Sequence, residues 1–234
     1  MRALSSASVL DLWERGFSLH PLDRGLLALR AALPETPLEN PADWPLGRRN
    51  RALARLHCSW FPPSLQAWVA CPQCGEKLEF ELDGAGLLAR EEPNSTEPVM
   101  VNGRSFRLPT SRDLARVAGE KDAGRAAMRL LEGCYLGGNE SPEWSEENLE
   151  EIGEKLALAD PMAETQISLR CPECGNQWDE NLDISAFLWM EIETRARRLL
   201  WEIHNLAAAY GWTEAEILSL SEMRRSRYLE MVNQ

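Results

Sequence analysis

Two pentapeptides, Cys71-Pro72-Gln73-Cys74-Gly75 and Cys171-Pro172-Glu173-Cys174-Gly175, differ only at the middle residue. In each, two thiols stand three positions apart, so a tight turn brings both sulfurs to one point. The proline fixes the turn, and the glycine lets the backbone swing back with its amides facing the sulfurs. Thiolates so placed suit a tetrahedral, borderline-soft ion, and two pairs fill all four positions of a structural zinc site. The sequence therefore predicts one structural Zn2+ on Cys71, Cys74, Cys171 and Cys174, with no vertex left for a catalytic water. Three other readings use the same residues. Redox dithiols of the thioredoxin kind would want a helix start after the first cysteine, and strands flank these pairs instead. Two half-sites could be shared between protomers. Four thiolates also fit iron, as in rubredoxin; zinc is preferred because nothing else in the sequence suggests electron transfer.

The remaining thiols, Cys58 and Cys134, stand alone. Cys58 follows His57, which invites a catalytic pairing, but neighbours on a helix point about 100° apart. Both are expected to be buried structural thiols. No Walker loop, dinucleotide glycine motif, HExxH or GxSxG occurs, so no enzyme chemistry is expected and no small-molecule substrate.

The elements that must position the four cysteines come next. Ninety-six residues separate Cys74 from Cys171, far more than in a compact zinc finger, so the two knuckles must be joined in space around an inserted segment. Residues 67–82 read as strand, turn, strand, with Leu78, Phe80 and Leu82 alternating with Glu79 and Glu81. Residues 166–186 repeat that pattern. Between them, 91–98 is a polar loop, Asn102–Gly103 marks a tight hairpin within 99–108, Thr110 or Ser111 caps a helix with Asp113 in its first turn, and further helices cover about 122–134 and the stretch after Ser145. Ahead of the first knuckle, two helices lie within 5–33, a proline-rich loop spans 34–47, and a helix runs from about 48 to 60. After the second, an apolar stripe at Leu188, Ile192, Leu199, Ile203 and Leu206 predicts a long helix over 187–210. Gly211 stands at its C-cap, Thr213 and Glu216 form a capping box, and a last helix carries Tyr228 and Leu229.

The predicted fold class is α+β, mainly helical, with a central zinc-ribbon-like pair of β-hairpins and an inserted helical subdomain. Its parts are an N-terminal helical region (1–65), the zinc ribbon (66–90 and 165–186), the inserted hairpin-plus-helices subdomain (91–164) and a C-terminal helical region (187–234).

Composition narrows the partners. Asp and Glu number 37 against 25 Lys and Arg, a net charge of -12. Such a field repels phosphate backbones, which disfavours nucleic acid. No run approaches the 18 apolar residues of a membrane helix. The N-terminal MRALSSASVLDLWERG acquires an acid and a Trp too early for a signal peptide. The chain is therefore expected in the reducing cytosol, where paired cysteines signify metal rather than disulfides. Nine tryptophans are many; most should fill the core, leaving some for a partner surface.

The C-terminal stretch FLWMEIETRARRLLWEIHNLAAAYGWTEAEILSLSEMRRSRYLEMV resembles a family of baseplate and tail-assembly proteins of contractile phage tails and contractile injection systems. The matching elements are Glu202, Ile203, His204, Leu206, Ala207, Tyr210, Gly211 and Trp212, then Glu216, Ile217, Leu218, Leu220, Arg224, Arg225, Tyr228 and Leu229. The N-terminal LWERG, HPLDR and WPLGRRN, the central RLPTSRDL and the two CPxCG knuckles are also similar. The resemblance implies a non-enzymatic role as a baseplate component or assembly factor, partnered by other baseplate or tail proteins, acting in the cytoplasm or incorporated into the assembled particle. Trp201, His204, Tyr210, Trp212, Arg224, Arg225 and Tyr228 are expected to supply the partner surface, since aromatics and arginines dominate interfaces. Arg224 and Arg225 have a second reading, pairing with this chain's own acids and carbonyls. The functional alternative is a zinc-ribbon nucleic-acid-binding or transcription-related protein, suggested by the short helices at 213–232.

Overall fold

The computed structural model describes residues 4–33, 39–88, 97–137 and 144–232. Residues 34–38 of the proline-rich loop and 91–96 of the polar loop lie outside them. The elements are α1 (Ser6–Gly16), α2 (Pro21–Ala32), α3 (Leu46–Trp60), β1 (Ser64–Ala70), β2 (Lys77–Asp83), α4 (Gly84–Leu88), β3 (Val99–Val101), β4 (Arg104–Phe106), α5 (Ser111–Val117), α6 (Ala123–Cys134), α7 (Glu146–Ala159), β5 (Gln166–Arg170), β6 (Gln177–Asn181), α8 (Ile184–Tyr210), α9 (Glu214–Ser219) and α10 (Glu222–Val232). The protein is a mixed α+β fold, mainly helical, with three small antiparallel hairpins among the described residues.

The long helix α8 is the spine. Asp183 accepts the Ala186 N–H at its start, three residues earlier than the apolar periodicity predicts. Gly211, at φ 68°, ends it by donating its N–H to the Ala207 carbonyl. At 1.5 Å per residue its length is about 40 Å. Leu188, Ile192, Ala196, Leu199 and Leu206 are all buried along one face, each aliphatic side chain contributing about 1.5–3 kcal/mol. Helices α1, α2, α3 and α10 pack along it. The main core is built of Leu12, Leu29, Leu53, Leu56, Leu188 and Ile192.

A second core belongs to the inserted stretch alone: Val101, Phe106, Leu131, Cys134, Ile152 and Leu156. Tyr135 and Trp144 pack on Phe106 with ring centres 5.5 and 5.8 Å away. The β3–β4 turn uses Asn102 and Gly103, both at positive φ, as that dipeptide demands.

This inserted unit docks on the start of α3 through polar contacts that no local pattern reveals. Leu46 N–H donates to the Pro109 carbonyl at 3.0 Å. Gly47 N–H donates to Asp160 Oδ2 at 2.8 Å, so a carboxylate 113 positions away caps a helix that lacks a side-chain cap of its own. A Cβ at position 47 would lie 1.6 Å from Asp160 Oδ1; only glycine admits the approach. Asn50 donates to the carbonyls of Met162 and Ala163, and Arg49 to Ser111 Oγ. Asp113 is buried under Arg107, which reaches its two oxygens at 2.6 and 2.8 Å, and it also accepts from the Thr110 N–H and hydroxyl. The ion pair outweighs burial and holds the Asp113 carboxyl below the usual carboxylate range.

Candidate metal centre

The two knuckles fold alike, hydrogen bond for hydrogen bond. Cys71 N–H donates to the Glu76 carbonyl at 2.8 Å and Gly75 N–H to the Cys71 carbonyl at 2.9 Å; Cys171, Asn176 and Gly175 repeat the pair at 2.8 and 3.0 Å. Gly75 and Gly175 sit at φ 77° and 74°, and an added Cβ would meet nothing within 4 Å at either. Glycine is needed there for its left-handed backbone, not for space. Each knuckle tips a two-stranded hairpin. In the first, Ala67 faces Phe80 and Val69 faces Leu78; in the second, Leu169 faces Trp178. Among the described residues no strand ladder joins one hairpin to the other.

The knuckles nonetheless meet at their cysteines. Cys71 Sγ lies 3.7 Å from Cys174 Sγ, and Cys74 Sγ lies 3.6 Å from Cys171 Sγ. All four sulfurs fall within 4.8 Å of one another. A regular tetrahedron with Zn–S bonds of about 2.3 Å has sulfurs about 3.8 Å apart, so the set has the spacing of one tetrahedral ion. The first cysteine of each pair is buried and the second exposed, which turns one side of the cluster inward and one outward.

The protonation of the thiols supports the fit. Burial opposes ionisation of Cys71, but the Cys74 and Gln73 amides and neighbouring thiols outweigh it and hold its pKa at about 6. At Cys74 the Glu76 amide favours the thiolate, yet burial and the three other sulfurs push it up to about 12. Cys174 is raised too: the Asn176 amide favours its thiolate, and burial with the Cys171 and Cys71 sulfurs wins. One thiolate forms readily, and the thiols hydrogen-bonded around it keep their protons. A divalent cation held there would favour the thiolate form of all four. The side chain of Asn176 adds an N–H···S contact of 4.0 Å to Cys71, a role that sequence reading missed; its only signal is the polar residue directly after the knuckle glycine.

The other cysteines stay apart from the cluster. Cys134 is fully buried in the second core, and burial pushes its thiol up to about 11. Cys58 is only partly buried, less than expected, with its sulfur packed beside Gly84. His57 is 1% exposed, stacks obliquely on Phe61, and neither ring nitrogen has a hydrogen-bond partner.

The residues expected at a partner surface divide. Trp201 is 53% and Tyr210 39% exposed; His204 and Arg224 are exposed as well. Tyr210, Trp212 and Tyr228 cluster, Tyr210 stacked on Trp212 at 4.7 Å and Trp212 edge-on to Tyr228 at 4.9 Å. Arg225, expected at that surface, lies inside instead. It is 2% exposed, its Nε lies 2.8 Å from Glu202 Oε2, and it donates to the Leu220 carbonyl and Ser6 Oγ. It is an internal cation that ties α10 to α8 and α1, so it presents no charge to a partner. One of the adjacent arginines faces solvent and the other the interior because neighbours on a helix diverge by about 100°. Glu202, noted only as part of the resemblance, is the buried acid that decides this.

No protein-family model matches the chain, and no curated protein or solved structure is significantly similar to it. Among the described residues no helix is long and apolar enough to cross a membrane.

Proposed function

We propose that this chain is a non-enzymatic assembly protein stapled by one structural zinc, and specifically a baseplate component or assembly factor of a contractile tail or injection system. The observation that carries the metal is the four-sulfur cluster within 4.8 Å. Cys71, Cys74, Cys171 and Cys174 hold the ion; two CPxCG hairpins facing each other around it make a zinc-ribbon-like unit. Bound there, zinc supplies charge neutralisation and cross-linking, with no coordination position open for substrate. It clasps hairpins that share no ladder, at the two ends of the inserted unit. Metal binding of this kind contributes on the order of 10–16 kcal/mol in small peptides.

The assembly role rests on the resemblance of the C-terminal stretch and on what that stretch exposes. Trp201, Tyr210, His204 and Arg224 lie on the outside of α8 and α10, and Trp212 and Tyr228 stiffen Tyr210 from behind. Rigid aromatics and an outward arginine suit a protein partner. The test is capture by sheath, tube, spike and baseplate proteins co-expressed with the zinc-loaded chain. Capture that is lost in Trp201→Ala or Arg224→Ala, with fold and zinc retained, supports the reading. Failure of the wild-type chain to join any of these proteins, or tight salt-sensitive binding to duplex DNA, would sink it.

A further inference from the structure

The seam between the inserted unit and the rest of the chain holds an apolar cavity of about 590 Å³, open to solvent. Leu46, Leu114, Leu130, Leu156, Ala157 and Pro161 are among its walls. A channel with this much aliphatic lining is large enough for several side chains.

Its charge says what would cover it. Between 144 and 164 the sequence has seven acids and a single lysine. That lysine, Lys155, is already paired with Glu151. Glu147, Glu150 and Glu154 are exposed on α7 and pair with no cation among the described residues. The arginines of the neighbouring α6 are taken: Arg125 and Arg129 both face Glu120. No basic residue lines the cavity, while Asp160 and Glu164 do. Asp160 is 1% exposed, and its Oδ1 accepts no hydrogen bond. Asp160 is spent on the Gly47 N–H, so the free negative charge is Glu164 in the wall with Glu150 and Glu154, which stand three positions before Gly153 and Ala157 and so neighbour them on the helix surface; beside the apolar floor this complements cations flanking aliphatic side chains.

We propose that this groove, bounded by α5, α6, α7 and the start of β5, is the docking site for a basic amphipathic segment of a partner protein. The proposal deepens the assembly reading and rests on it: aliphatic side chains of the segment fill the floor, and its lysines or arginines meet Glu150, Glu154 and Glu164. This groove is a different face from the aromatic end of α8, so the protein has two contact surfaces.

The test uses the full zinc-loaded chain and a fluorescein-labelled peptide with Lys and Leu at three- and four-residue spacing. Comparison peptides carry the same residues in scrambled order, or Glu in place of every Lys. The Lys–Leu peptide should bind, the two comparisons at least about tenfold more weakly. Ala157→Arg, and separately Glu150→Lys with Glu154→Lys, should each weaken binding at least about tenfold. Glu79→Lys with Glu81→Lys, an equal charge change on β2, should leave it unchanged. Far-UV circular dichroism and zinc content report that each variant is folded. Equal binding of the scrambled or Glu peptide, indifference to Ala157→Arg, or a wild-type dimer that Ala157→Arg makes monomeric would each overturn the proposal. Peptide binding that fails these controls while the wild-type chain still captures baseplate proteins defeats the groove alone; failure of the wild-type chain to capture any of them defeats the assembly reading instead.

Discussion

Replacing Arg225 with alanine separates an internal ion pair from a partner-facing cation. Arg225 and Glu202 have side chains 2% and 5% exposed, with 2.8 Å between Nε and Oε2. Truncation leaves Glu202 buried and deprives the Leu220 carbonyl and Ser6 hydroxyl of donors at 2.7 and 3.3 Å. Breaking a buried pair costs about 3–5 kcal/mol. Arg198 still reaches Glu202 at 3.0 Å from the surface, which retains part of the compensation and puts the expected loss at about 3 kcal/mol. In a chain of this size that lowers Tm by about 6–12 °C. Arg224→Ala, one position away and exposed, should stay within about 0.5 kcal/mol of wild type. Urea unfolding with zinc present, followed by circular dichroism, measures both. Replacing the pair together, Glu202→Leu with Arg225→Met, should recover most of the loss, because no lone charge is left inside. Arg225→Ala within about 0.5 kcal/mol of wild type would refute the internal pairing.

Two further perturbations probe the joints around the site. Gly47→Ala forces Asp160 off the start of α3, since the new methyl would lie 1.6 Å from Oδ1; the expected destabilisation is about 1–3 kcal/mol, and unfolding equal to wild type would contradict the close approach. Burial holds His57 neutral, with its pKa lowered from 6.5. A depressed histidine contributes stability that is present above the unfolded value and is lost as pH falls from 6.5 toward the folded value, at up to about 1.4 kcal/mol per pH unit. His57→Phe should flatten the stability profile between those two values; an unchanged profile would show that His57 ionises freely in the fold.

What the sequence made legible was local chemistry. Cysteine spacing, the two knuckle glycines and the flanking alternation were enough to bring together four cysteines from knuckles separated by 96 residues. Asn102–Gly103, the Thr213–Glu216 box and Gly211 marked their turns and caps because each acts within four residues of itself. Helix α3 was found to within two residues of its start, but its cap was missed because Asp160 comes from the far side of the insertion. The short helix α4 was missed because GAGLL carries too little periodicity to announce one. Arg225 was misread because composition ranks arginine as an interface residue, while its partner Glu202 becomes visible only when α8 and α10 are packed. The two knuckle hairpins were legible from their alternation, and among the described residues each keeps its own two-stranded ladder while the four cysteines meet at the tips.

The central claim is that four thiolates from two hairpins share one metal ion. X-ray absorption at the zinc edge, on protein purified without chelator and with metal content measured in parallel, tests it most directly. The account predicts about one zinc per chain with four sulfur neighbours at about 2.3 Å, loss of that zinc in Cys171→Ser, and its retention in Cys58→Ser. Protein that folds stably with no metal, a first shell containing nitrogen or oxygen, or full zinc occupancy in Cys171→Ser would contradict it.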